Sequence, residues 1–215
     1  MKKAKKILTL VCCAVLLVCI SVGATIAYLT SNTDAVKNTF TTGNVQITLD
    51  EADVTEYGNP IKTTKDNEGK DVVTEVPLPQ ADRDTANRYK LVPNHTYTQD
   101  PTVHVIAKSE PCYVFVKVVN GISAIEDVKT IATQMSENGW VALTGVENVF
   151  YYNGIVDART AQVDLLVFGQ FKTKTDADVS AYTEAEITID AYAVQADGFA
   201  DAADAWQKAS TTWGN

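Results

Sequence analysis

Histidine occurs only twice in this chain, at His95 and His104. Neither belongs to an H-E-x-x-H pair, which excludes the usual two-histidine zinc-peptidase site. Of four cysteines, Cys12, Cys13 and Cys19 lie in one apolar run, and Cys112 stands alone in the remainder. One thiol closes no intramolecular disulfide, so there is no disulfide framework. Cys112 reads as a small buried hydrophobe beside Tyr113. No G-x-S-x-G, P-loop or dinucleotide fingerprint occurs. Asp197, Asp201 and Asp204 fall at helical spacing and lack the ligand spacing and glycine of a calcium loop. Basic residues are also scarce, 18 against 27 acidic, for a net charge of −9. That balance argues against nucleic acid and anionic membrane surfaces as main partners. No catalytic residue, cofactor site or metal site is expected from these patterns.

The N-terminus departs from this acidic background. Lys2, Lys3, Lys5 and Lys6 are the only charges before Asp34, and an apolar run follows them. A lysine-rich start, an apolar centre and small residues at Gly23, Ala24, Thr25 and Ala27 form the three parts of a secretory signal peptide. Cleavage between Ala27 and Tyr28 puts Thr25 and Ala27 at the two selective positions. The alternative is a retained anchor, because residues 7–33 carry no charge and are long enough to span a bilayer. Removing 27 residues leaves 14 basic against 27 acidic residues, a net charge of −13.

Beyond this segment the pattern is dominated by strands. In "NVQITL", Val45, Ile47 and Leu49 alternate with Gln46 and Thr48. "TVHVIA" and "CYVFVKVV" are rich in β-branched and aromatic residues, with turn signals on both sides. Residues 140–143, 149–153, 161–171 and 184–195 continue the series. In the last, Ile187, Ile189, Ala191 and Ala193 face one way, and Thr188, Asp190 and Tyr192 the other. Residues 57–88 mix Gly, Pro, Asn and both charge signs, and read as an exposed insertion with a short hairpin around Val72 to Val76.

Two stretches break the strand pattern. Ser123 and Glu126 have capping-box spacing, and Ile125, Val128, Ile131, Ala132 and Met135 then share a helical face, predicting a helix over 123–138. Residues 198–210 predict a short terminal helix with Phe199, Ala202 and Trp206 on one side. The fold class expected is mainly β, an antiparallel β-sandwich with an inserted helix and a C-terminal helix. The domains expected are a 1–27 signal peptide and a single 28–215 domain.

Within that fold, "HTYTQDPTVH" holds His95, Asp100 and His104, but nine-residue spacing across a turn is no ligand signature, and two surface imidazoles are expected. Trp140, Tyr151 and Tyr152 are assigned to packing. Asn94–His95–Thr96 matches a glycosylation sequon.

Three blocks carry a resemblance. "GATIAYLTSNTDAVKNTFTTGNVQITLDE" resembles the N-termini of secreted proteins of the TasA and camelysin type, with Asn38–Thr39–Phe40–Thr41–Thr42–Gly43 matching the Asn-x-Phe-x-x-Gly block. Leu29 stands where Phe is usual, and Ser31 where an acid is usual. "KLVPNHTYTQDPTVHVIAKSEPCYVFVKV" and "IDAYAVQADGFADAADAW" are similar to the family's central block and C-terminal strand and helix. The resemblance implies a jelly-roll-like β-sandwich, exported in a Gram-positive bacterium through a signal peptidase of the SipW type. It also implies a place at the cell surface or in the biofilm matrix, with self-association or related matrix subunits as partners. It further implies assembly by donation of the freshly cut N-terminal segment as a strand. Tyr28, Leu29, Val36 and Phe40 are the side chains of that segment able to fill a groove. Membrane contact would then come only through an uncleaved signal segment. The camelysin branch implies the alternative of a secreted metallopeptidase, for which no zinc spacing is present. A membrane-tethered binding module is the third reading.

Overall fold

Side-chain alternation decides which face of each strand turns inward, and here it does so on both sides of one core. The computed structural model describes residues 43–212. Among the described residues there are twelve strands: β1 (Ile47–Ala52), β2 (Ile61–Lys65), β3 (Asp71–Glu75), β4 (Arg83–Asp84), β5 (Thr96–Thr98), β6 (Thr102–Val105), β7 (Cys112–Asn120), β8 (Trp140–Ala142), β9 (Val149–Tyr152), β10 (Val163–Leu166), β11 (Gln170–Lys172) and β12 (Ile187–Gln195). Two α-helices, α1 (Ile131–Glu137) and α2 (Ala202–Ala209), are described with them. The protein is mainly β, and its strand pairs are antiparallel.

One four-stranded sheet has the order β10-β6-β1-β4, and the other β12-β7-β9-β8. Their inward residues meet in a single cluster. Val103 and Val105 of β6 and Leu165 of β10 join Val114, Val116 and Val118 of β7, with Ile47, Leu49, Ile187, Ile189, Ala191 and Ala193 packed against them. Each fully buried aliphatic side chain contributes about 1.5–3 kcal/mol of transfer free energy, so this cluster is the main source of stability. Cys112 is buried within it, and burial pushes its thiol up to about 11, as suits a small hydrophobe.

The two-stranded sheet β11-β5 closes one end of the core. Tyr97 stacks on Phe171 with centroids 4.6 Å apart, and Tyr89 meets both rings edge-on. Gly58 lies against this end with φ of 79°, and a Cβ there would fall 2.7 Å from the Tyr97 Cα, so only glycine fits. The β2–β3 hairpin is solvent-exposed along nearly its whole length. Arg83 and Asp84 then return to pair with Ala52 and Glu51.

The helix expected over 123–138 is shorter. Ser123–Ile125 is a 3₁₀ turn, and α1 starts only at Ile131, with Thr130 Oγ1 accepting from the Thr133 amide. Glu126 is not an N3 cap. Its buried carboxylate accepts from the Ile131 amide and from Asn120 Nδ2, which holds residues 126–130 out of helix. Val128, expected on the buried face, is 92% exposed in consequence. At the C-terminus Asp201 caps α2 through the Asp204 amide. Ala202 and Ala205 let the helix sit close on Phe115, whose other neighbours include Tyr151, Tyr192 and Trp206.

Candidate functional site

The outward positions of β1, β6 and β10 are polar, Leu166 excepted, where the inward positions Ile47, Leu49, Val103, Val105, Val163 and Leu165 are apolar. Thr48 lies opposite His104 and Asp50 opposite Thr102, and Asp164 lies opposite His104 on the other side. With Arg83, Gln162 and Leu166 these residues line an open groove of about 590 Å³.

His104 is the centre of this groove. Its Nδ1 is 2.7 Å from Asp164 Oδ1 and its Nε2 is 3.1 Å from Asp50 Oδ1. Arg83 Nε donates to the same Asp50 oxygen at 2.6 Å, and its NH1 to the buried Asp100 Oδ2 at 2.7 Å. Gln162 Nε2 donates to Asp164 Oδ1 at 2.7 Å. Four strands are thereby joined by side chains as well as by main-chain ladders.

The charges follow from this geometry. Burial pulls His104 down, but bonds to Asp164 and Asp50 outweigh it and hold the imidazole above the ordinary histidine value. Burial pushes Asp50 up, and bonds from His104 and Arg83 overcome this and lower it. Asp164 is lowered chiefly by its bond from His104. Both carboxylates therefore stay ionised, whereas a general acid needs a proton near working pH. These bonds use one oxygen of each carboxylate, which leaves the other as an acceptor. Chemically, the groove is an ion-paired clamp with acceptors at its rim.

Other residues singled out by sequence are dispersed. His95 donates from Nε2 to Tyr57 O at 2.9 Å and packs edge-on against Tyr97, far in role from His104. Asp100 accepts from the Ala52 amide and from Arg83, so His95, Asp100 and His104 form no common site. Both imidazoles are half-buried, His95 on a loop and His104 on a strand, and both are hydrogen-bonded. Trp140 is buried, donates from Nε1 to Leu166 O at 2.8 Å, and meets Tyr152 edge-on. Tyr151 packs with the residues around Phe115. Asn94 is exposed at a turn, with φ of 57°. Among the described residues no group of three or more His, Cys, Asp or Glu is arranged for a metal, and no helix is long and apolar enough to cross a membrane. Ala27, Tyr28, Leu29, Val36 and Phe40 lie outside the described residues.

Sequence reasoning missed the His104 network. Its signal was the outward set Thr48–Asp50, Thr102–His104 and Gln162–Asp164, each at period two. Which strands lie side by side was not available from any of these segments alone.

The sheet edges differ. At the end of β10 the Leu166 and Val167 carbonyls are taken by Trp140 Nε1 and Asn138 Nδ2. β12 is nine residues long, and among the described residues β7 is its only strand neighbour. Compared with known proteins, the chain matches no family model, no curated protein and no solved structure.

Proposed function

We propose that this protein is a secreted structural subunit of a cell surface or extracellular matrix. In this reading it is a jelly-roll-like β-sandwich that assembles when the N-terminal segment of one copy adds as a strand to another. The observation that carries the reading is the long β12 edge, whose first half, Ile187–Ala191, turns Ile187, Ile189 and Ala191 toward the core. Among the described residues Ile187–Ala191 has β7 as its only strand neighbour, and a sheet edge of that kind is a template for strand addition. Val36 and Phe40 have the same parity, so an added strand would bring both to one face. Residues 1–27 act as the signal peptide, cut by a signal peptidase of the SipW type. Head-to-tail addition does not close, and so gives filaments.

The test compares a form beginning at Tyr28 with one beginning at Gly43, by electron microscopy at equal concentration. Filaments from the longer form alone are expected. Equal polymerisation of both removes the N-terminal segment as donor. Sequencing the extracellular protein from its N-terminus is expected to read Tyr28 first, and a retained Met1 would point to a tethered protein instead.

A further inference from the structure

The sequence has three Asn–Gly pairs, Asn120–Gly121, Asn138–Gly139 and Asn153–Gly154, and each borders a strand of the β12-β7-β9-β8 sheet. Asparagine is among the thermolabile side chains. The main-chain nitrogen after it can attack its carboxamide, and a glycine there puts no Cβ in the way. The attack needs a glycine N–H and a carboxamide that are not held elsewhere.

Two of the pairs are held. Asn120 Oδ1 accepts from the Ile122 amide at 3.0 Å, and its Nδ2 donates to Glu126 Oε2 at 3.0 Å. The Gly121 amide donates to Glu186 O at 2.9 Å. Asn138 Nδ2 donates to Val167 O at 3.2 Å, and the Gly139 amide to Ser136 O at 3.2 Å. Attack within either pair first breaks at least two of these bonds.

The third pair differs. Asn153 and Gly154 are both exposed. Among the described residues, neither the Asn153 carboxamide nor the Gly154 amide takes part in a hydrogen bond. Gly154 has φ of 131°, and a Cβ there would meet no atom within 4 Å, so the space beside it is open. The flanks are anchored. The Asn153 amide donates to Gly139 O at 2.8 Å, and Val156 exchanges two bonds of 2.9 Å with Cys112. Between these anchors lie only Gly154 and Ile155, the latter 54% exposed.

We propose that Asn153 is a site of spontaneous modification, where the folded protein converts asparagine to isoaspartate and aspartate. Gly154 N forms a bond to Asn153 Cγ. The Cγ–Nδ2 bond breaks, and Nδ2 leaves as ammonia with the proton that Gly154 N gives up through solvent. Water, the only other reactant, then opens the cyclic imide at either carbonyl. Opening at the Asn153 main-chain carbonyl routes the chain through the side chain, as isoaspartate. Opening at Cγ restores the ordinary main chain, as aspartate. Nothing is oxidised or reduced, and the net change is one water in and one ammonia out. Either product adds a negative charge. The isoaspartyl form also adds a methylene to the main chain, and the exposed Gly154–Ile155 link absorbs it while the strands keep their pairing. The inference does not depend on whether the protein assembles.

The test incubates the form beginning at Tyr28, folded or unfolded in guanidinium at the same pH, in heavy-oxygen water. Tandem mass spectrometry of its peptides reads each pair separately. In the folded protein Asn153 is expected to convert at least ~tenfold faster than Asn120 or Asn138, because it has no hydrogen bonds to break first. The unfolded chain is expected to convert all three at similar rates. Heavy oxygen is expected in the new carboxylate at Asn153, and ion exchange is expected to separate a folded, more acidic species from the aged protein. Gly154→Ala is expected to slow conversion at Asn153 at least ~tenfold even in the unfolded chain, since its Cβ obstructs the attacking nitrogen. Equal rates at the three pairs in the folded protein overturn the proposal. So does an Asn153 that stays unconverted when folded while the unfolded chain converts at all three, or a Gly154→Ala chain that converts as fast as the wild type.

Discussion

The two four-stranded sheets turn similar aliphatic faces to one core and opposite chemistries outward. On the β12-β7-β9-β8 sheet the outer side chains Phe115, Tyr151 and Tyr192 are apolar, and α2 lies over them with Ala202, Ala205 and Trp206. On the β10-β6-β1-β4 sheet the outer side chains include Asp50, His104 and Asp164, and among the described residues no helix covers them. A strand has only two faces, so a second apolar face needs a lid, and a polar face needs partners for its charges. The first sheet uses its last helix as the lid. The second pairs its charges with one another.

The helix-covered face offers the largest effect. Phe115 is fully buried, with Trp206 5.3 Å away between ring centroids. Phe115→Ala is expected to destabilise the protein by about 3–5 kcal/mol in urea unfolding, since the lost transfer energy adds to a cavity. A loss below about 1 kcal/mol would mean that α2 closes over the gap or contributes little.

Next comes the polar face. Among the described residues Arg83 is the one cation on the buried Asp100 carboxylate. Arg83→Met keeps the aliphatic stem and removes the charge, and is expected to cost about 1–3 kcal/mol by stranding Asp100. A double-mutant cycle with Asp100→Asn checks the cause. Most of the loss should vanish in the double variant, and an additive result would assign it to packing instead.

How much of this contrast was legible beforehand varies with the range of the contacts. The alternation in "NVQITL" and "CYVFVKVV" was readable, because period two is a local property. So were the strands of 184–195 and the terminal helix, where Phe199, Ala202 and Trp206 share a side. The start of α1 was not, because Glu126 lies outside the helix, its carboxylate on the Ile131 amide and its backbone bridged to Thr173, a tertiary contact that overrides a good local capping pattern. The groove was illegible for the same reason. His104 and Asp164 are 60 residues apart, and His104 and Asp50 are 54 apart. Only the pairing of β1, β6 and β10 makes them neighbours.

The pH dependence separates the faces more finely. His104 is raised above its unfolded value near 6.5, so its stabilising effect is complete below about pH 6.5 and is lost as pH climbs through the folded value. Asp50 and Asp164 are lowered, so theirs is complete above about pH 4 and is lost as pH falls. The clamp is strongest between those limits. His104→Asn is expected to cost about 0.5–1 kcal/mol near the middle of that window and close to nothing at about pH 9, a small figure because Asp164 is largely exposed. Phe115→Ala, by contrast, should cost the same at both. A His104 loss that does not change with pH would make the groove a packing device like its opposite face.

The smallest effect belongs to the part that has neither lid nor clamp. In the β2–β3 hairpin Val72 and Val73 are exposed, Val73 by 58%, and the ribbon is held by polar contacts at its base and rim. The Thr63 amide donates to Asp82 Oδ2 at 2.7 Å, Asn59 Nδ2 to Glu75 Oε1 at 2.9 Å, and Lys65 pairs with Asp71. Val72→Thr with Val73→Thr keeps the β-branch and removes apolar surface that is already wet. The pair is expected to shift stability by less than about 0.5 kcal/mol in dilute monomer. The same measurement at rising protein concentration tells whether the two valines are covered in an assembly. A wild type that gains stability with concentration while the double threonine variant does not would move the hairpin from ornament to interface. Equal curves would leave assembly to the β12 edge.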